Sequence, residues 1–144
     1  MTSSDRFFID PATIQAYRET NYIVHAQPDF VLRIDQPCAA LAAWYARRRI
    51  AAACVITAWN PLSQPLCEAQ NQARQARLEQ ELTQAGWHWI PALGAHPHNG
   101  WPPEASCFVE GMSEEAAREC GRTYAQNAVV WCGADAIPRL RLLR

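Results

Sequence analysis

The sequence predicts an α+β domain: a single mixed, mostly antiparallel sheet with three to four helices packed mainly on one face. Three observations carry this. Helix-like and strand-like segments follow in the order α-β-β-α-β-α-β-β-α-β-β, which breaks the strict alternation of a doubly wound parallel sheet. Successive strands are joined by turns short enough for antiparallel pairing. The helical stretch 66–85 carries Leu78, Leu82 and Ala85 at spacings of three and four, an apolar stripe suited to packing on a sheet.

The elements are read in chain order. Residues 1–9 form a loosely held arm, and 10–144 form one domain. "DPATIQAYRET" opens with Asp10 as N-cap and Pro11 at the first helical position. "NYIVHA" and "DFVLRI" are short strands around the turn "QPD". In "DQPCAALAAWYARRR", Asp35 or Gln36 caps a helix that Pro37 opens. Arg47, Arg48 and Arg49 lie in its last turn, where cations suit the negative end of the helix dipole; a phosphate-binding cluster is the alternative. "AAACVITAW" has no polar alternation and reads as a central strand covered on both faces. The 66–85 helix is rich in strong helix formers and ends at Gly86. "WHWIPALG" is a strand, "AHPHNGWPPE" a loop and "ASCFVEG" another strand. Ser113 caps the helix "MSEEAARECGRTYA", which has acids in its first turn. "NAVVWC" and "RLRLLR" close the sheet, with Arg139 and Arg141 discouraging association at its edge.

Composition narrows the function. The 144 residues suit one domain, and 49% apolar content with six Trp builds a core without staples. A net charge of −1 and pI near 6.4 argue against a general nucleic-acid binder. Every basic residue is Arg, as a GC-rich coding bias would produce. No secretory leader and no membrane span are read, so the expected location is cytoplasmic and no membrane partner is expected. The six cysteines form no C-x-x-C pair and read as reduced, structural thiols; Cys38, beside Pro37 at a helix start, is the mild exception. His96 and His98 flank a proline in a loop and read as solvent-exposed rather than as a metal pair, so no metal and no cofactor are assigned. No Ser-His-Asp order, glycine-rich phosphate loop or H-E-x-x-H helix is present.

The informative stretch is "VITAWNPLSQPLCEAQNQARQARLEQEL", residues 55–82. Running the apolar stripe of its helix backward places Arg74, Gln75 and Asn71 on the same inner face. A buried arginine is costly without partners, so this polar half should look into a cleft or meet a carboxylate. The strand before it delivers Trp59, Asn60 and Pro61 where ligand sites often form. Asn60, Ser63, Asn71 and Arg74 could jointly hold a carboxylate or phosphate. The structural alternative is equally physical: Asn60 caps the turn, Ser63 caps the helix, and Asn71 and Arg74 bridge loops to a buried Glu.

The residues T-A-W-N-P-x-S (Thr57–Ser63), Asn71-x-x-Arg74-x-x-x-Leu78, Gly94, Trp101-Pro102-x-Glu104-x-Ser106, Gly111, and Gln126-Asn127-Ala128 with Trp131 resemble the bacterial domain-of-unknown-function family 3293. The resemblance covers the chain from about residue 17 and implies no particular activity. One departure is Ala105 after Glu104, where the family often has a second polar residue. The resemblance adds Glu104, Ser106 and Gln126 to the cleft, with Glu104 expected to pair with Arg74 and Trp59 or Trp101 to form a wall.

Two functions compete. One is a small-molecule domain for an anionic or nucleotide-like ligand, with Trp59, Asn60, Ser63, Asn71, Arg74, Trp101, Ser106 and Gln126 as binding residues and Glu104 as the acid–base group if it is an enzyme. The other is a protein-interaction or regulatory module, with a protein partner or a second copy of the chain, in which the polar cluster is structural. Nucleic-acid binding through Arg47–Arg49 and residues 139–144 ranks third.

Overall fold

The computed structural model describes residues 9–144; the expected arm lies outside the described residues except for Ile9, which is buried. Four helices, α1 (Pro11–Glu19), α2 (Ala39–Arg48), α3 (Glu68–Gln84) and α4 (Glu114–Thr123), accompany seven strands: β1 (Asn21–Val24), β2 (Phe30–Leu32), β3 (Ala53–Ile56), β4 (Trp89–Ala95), β5 (Glu104–Glu110), β6 (Ala128–Cys132) and β7 (Pro138–Leu142). The strands form one curled sheet, a half-barrel, in the order β2-β1-β4-β5-β3-β6-β7. Every ladder is antiparallel, and β1–β2, β4–β5 and β6–β7 pair in succession as the α+β reading requires.

Alternation along β3 explains how the faces are shared. Cys54 and Ile56 point to the side where Leu78 and Leu82 of α3 and Ala117 of α4 pack. Ala53 and Val55 point to the other side, toward Leu41 and Tyr45 of α2 and toward Phe30, Phe108 and Val130. The helices expected mainly on one face therefore divide: α3 and α4 cover the outer face, whereas α1 and α2 lie over the concave one. The reason is visible in β3, buried at all four positions, which needs cover on both sides.

Local chemistry sets the helix starts. Asp10 accepts from the Ala12 N–H at 2.8 Å, and Ser113 accepts from Ala116 at 3.1 Å, both as expected. α2 starts later than Pro37 suggests: Cys38 is its N-cap, its sulfur accepting from the Leu41 N–H at 3.4 Å. The six cysteines are free. Burial pushes the thiols of Cys54 and Cys107 upward and that of Cys132 to about 12, which holds all three protonated. Among the described residues no helix is long and apolar enough to cross a membrane, and no cluster of three His, Cys, Asp or Glu could hold a metal ion.

Candidate functional site

β3 ends at Ile56 because the chain turns away from the sheet there, and the next main-chain groups lose their ladder partners. Side chains replace them. Gln75 Oε1 accepts from the Ala58 N–H at 3.0 Å, and Arg74 Nε donates to the Ala58 carbonyl at 2.8 Å. Thr57 Oγ1 accepts from the Trp59 N–H at 3.0 Å, and Gln126 Nε2 donates to the Trp59 carbonyl at 3.2 Å. Asn71 Oδ1 accepts from the Asn60 N–H at 2.8 Å. The second arm of Arg74, Nη2, donates to the Tyr124 carbonyl at 2.6 Å, tying this corner to the end of α4.

This corrects the expected role of the polar half of α3. Asn71 and Gln75 are buried, and with Arg74 they serve the main chain of residues 58–60 instead of looking into a cleft. The expected Arg74–Glu104 pair does not form. Trp59 likewise enters through its main-chain groups and is absent from the cavity wall.

The corner fixes Asn60. It adopts a left-handed conformation, φ 45°, which asparagine tolerates better than most residues. Its Oδ1 accepts from Asn71 Nδ2 at 2.7 Å and from the Leu66 N–H at 3.0 Å. Those two donors orient the amide, so Nδ2 points to Glu104 Oε2, 3.4 Å away. Trp101 Nε1 donates to the same oxygen at 2.8 Å. Burial raises the pKa of Glu104, opposed by these two hydrogen bonds.

Asn60 and Glu104 stand at a half-open cavity of about 330 Å³ between α1 and the concave face of the sheet. Its wall is mainly apolar, with Ala16 from α1, Val55, Val130 and Leu140 from the sheet. Ser63, Trp101, Ser106 and Gln126 also line it, so six of the nine site residues read from sequence meet at one hollow and Trp59, Asn71 and Arg74 do not. Ser63 does not cap α3, whose N-cap is Cys67; its hydroxyl lies 2.6 Å from that of Tyr17 and accepts from Asn127 Nδ2 at 3.1 Å. Ser106 Oγ donates to the Glu104 carbonyl at 3.2 Å.

A family model described as a protein of unknown function, DUF3293, matches residues 56–129. The chain belongs to this family. No curated protein and no solved structure matches it. The DUF3293 span contains the β3 corner and Glu104, whereas α1 and β7, which complete the hollow, lie outside it.

Two contributors escaped the sequence reading. α1 supplies a whole face of the hollow through Ala12, Thr13, Ala16, Tyr17 and Thr20, a spacing of three and four that marks an inward stripe. His96, expected in an exposed loop, also lines the hollow, and its side chain is only 9% exposed. Its Nδ1 accepts from the N–H groups of His98 and Asn99, both at 3.0 Å, so Nε2 carries the proton shared with Glu19 at 3.0 Å. The histidine is thus committed to its own turn and to α1. The dense run of Pro, Gly and Asn around it hid this role.

Proposed function

We propose that the protein binds a small molecule in the hollow between α1 and the sheet. The observation that carries this is the half-open hollow itself, apolar along its floor and polar where Asn60 and Glu104 stand. The anionic ligand anticipated from Arg74 has lost its cation to two main-chain carbonyls, and among the described residues no Arg lines the hollow. A ligand with an apolar body and one hydrogen-bonding end fits instead. Binding is favoured over catalysis: His96 is committed at both nitrogens, and Ser106 donates to a carbonyl, not to a base. The six free thiols support a reducing compartment such as the cytoplasm.

The experiment is a thermal-shift screen of metabolites against the protein and an Ala16→Trp variant that fills the hollow from α1. A ligand should raise the melting temperature of the first and not of the second. Stabilisation that persists in the variant, or none with any compound, overturns the reading.

A protein-interaction role is supported by a different observation. A shallow groove between α3 and α4 lies on the outer face, away from the hollow, with half-buried Trp87 and the carboxylates Glu81 and Glu119 around the buried Leu78, Leu82 and Met112. Recovery of one stoichiometric partner, lost on Trp87→Glu, would favour it.

A further inference from the structure

We infer that the mouth of the hollow recognises an organic ammonium group carried on an apolar body, with Glu104 receiving the charge. This rests on the small-molecule reading and adds the sign of the ligand.

Four observations carry it. First, Glu104 has no ion-pair partner among the described residues, although nine ion pairs are formed elsewhere. Second, its two donors, Trp101 Nε1 and Asn60 Nδ2, are neutral and both act on Oε2, which leaves Oε1 without a donor among the described residues. A carboxylate offers four lone-pair sites, so acceptor capacity is left over. Third, burial without a counter-charge disfavours the ionised form, and an incoming cation would reverse that penalty where a neutral or anionic group would not. Fourth, the Trp101 indole lines the hollow beside the carboxylate and is 41% exposed, a setting in which an aromatic ring adds to cation binding. An anion entering the same mouth would meet Glu104, with no Arg among the described residues of the wall.

Three probes with one ring system separate the possibilities: tryptamine (cation), tryptophol (neutral) and indole-3-acetate (anion), titrated calorimetrically at neutral pH against the full chain and Glu104→Gln. Tryptamine should bind roughly tenfold or more tighter than tryptophol, the size of a charge-assisted contact. Indole-3-acetate should bind weakest. Glu104→Gln should erase the lead of tryptamine over tryptophol, with the fold of the variant checked separately by circular dichroism and urea unfolding. If that variant does not fold, acid titration of the unaltered protein takes its place: the lead should collapse as Glu104 is protonated. A lead that survives the substitution or the acid, or tightest binding of indole-3-acetate, overturns the ammonium assignment while the hollow stands. Failure of all three probes to bind overturns the ammonium assignment, while the small-molecule reading stands or falls with the thermal-shift screen.

Discussion

Asn71 and Asn60 form a closed reciprocal pair: the Asn71 oxygen accepts from the Asn60 main-chain N–H at 2.8 Å, and the Asn71 amide donates to the Asn60 side-chain oxygen at 2.7 Å. Asn71 is 2% exposed, so water cannot replace it. Asn71→Leu keeps the volume and strands a buried main-chain donor. It should cost about 2 kcal/mol, read by urea unfolding. A loss below the noise of the extrapolation would show that the pair does not hold the corner.

Arg74 reaches two carbonyls with two different nitrogens, Nε to Ala58 and Nη2 to Tyr124. A lysine has one nitrogen and cannot span them. Arg74→Lys should therefore cost nearly as much as Arg74→Ala, about 1–3 kcal/mol each. Rescue of the melting temperature by lysine would mean that charge, not the fork, is what matters.

Glu104 couples stability to pH in an unusual direction. Its folded pKa is raised, chiefly by burial, so between the ordinary carboxylate range and the raised value the folded state holds more proton than the unfolded one. Stability from this group is present below the unfolded pKa and falls as pH climbs through the folded pKa. Glu114 behaves oppositely: the hydrogen bond from Arg118 lowers its pKa, and its contribution is lost on acidification. Unfolding measured across the acidic range should show Glu104→Gln gaining on the parent as pH rises, then levelling off. A difference that is flat with pH, or a variant that loses ground on the parent as pH rises, contradicts the burial assigned to Glu104.

Gly121 sits inside α4, where alanine would normally improve a helix. A methyl there would stand 2.6 Å from both Val129 Cγ1 and Leu143 Cδ1. Leu143 can rotate away, but Val129 is buried and stiff at χ1. Gly121→Ala should thus destabilise by about 1–3 kcal/mol despite its better propensity. A higher melting temperature would show that α4 can lift from β6 without penalty.

What the sequence made legible was what adjacent residues decide. Asp10 and Ser113 as caps, the three successive strand pairs and the Leu78–Leu82 stripe all depend on neighbours a few positions apart. So does the inward face of Asn71 and Arg74. Whom they meet there does not. The partners of Arg74 are main-chain oxygens 16 and 50 residues away, and a polar side chain on a buried face looks the same whether it awaits a ligand or a carbonyl. Cys38 in place of Asp35 as cap, and the division of the helices between two faces, likewise depend on how the sheet curls.

The main-chain groups of residues 58–60 are already held before anything enters the hollow, the Asn60 carbonyl by the Ser63 N–H and the rest by side chains. A guest arriving beside Asn60 and Glu104 would find a rigid socket and would not have to freeze a loop on arrival. Whatever binds there would spend little entropy on ordering its receptor, so even a compact guest with few contacts could be retained.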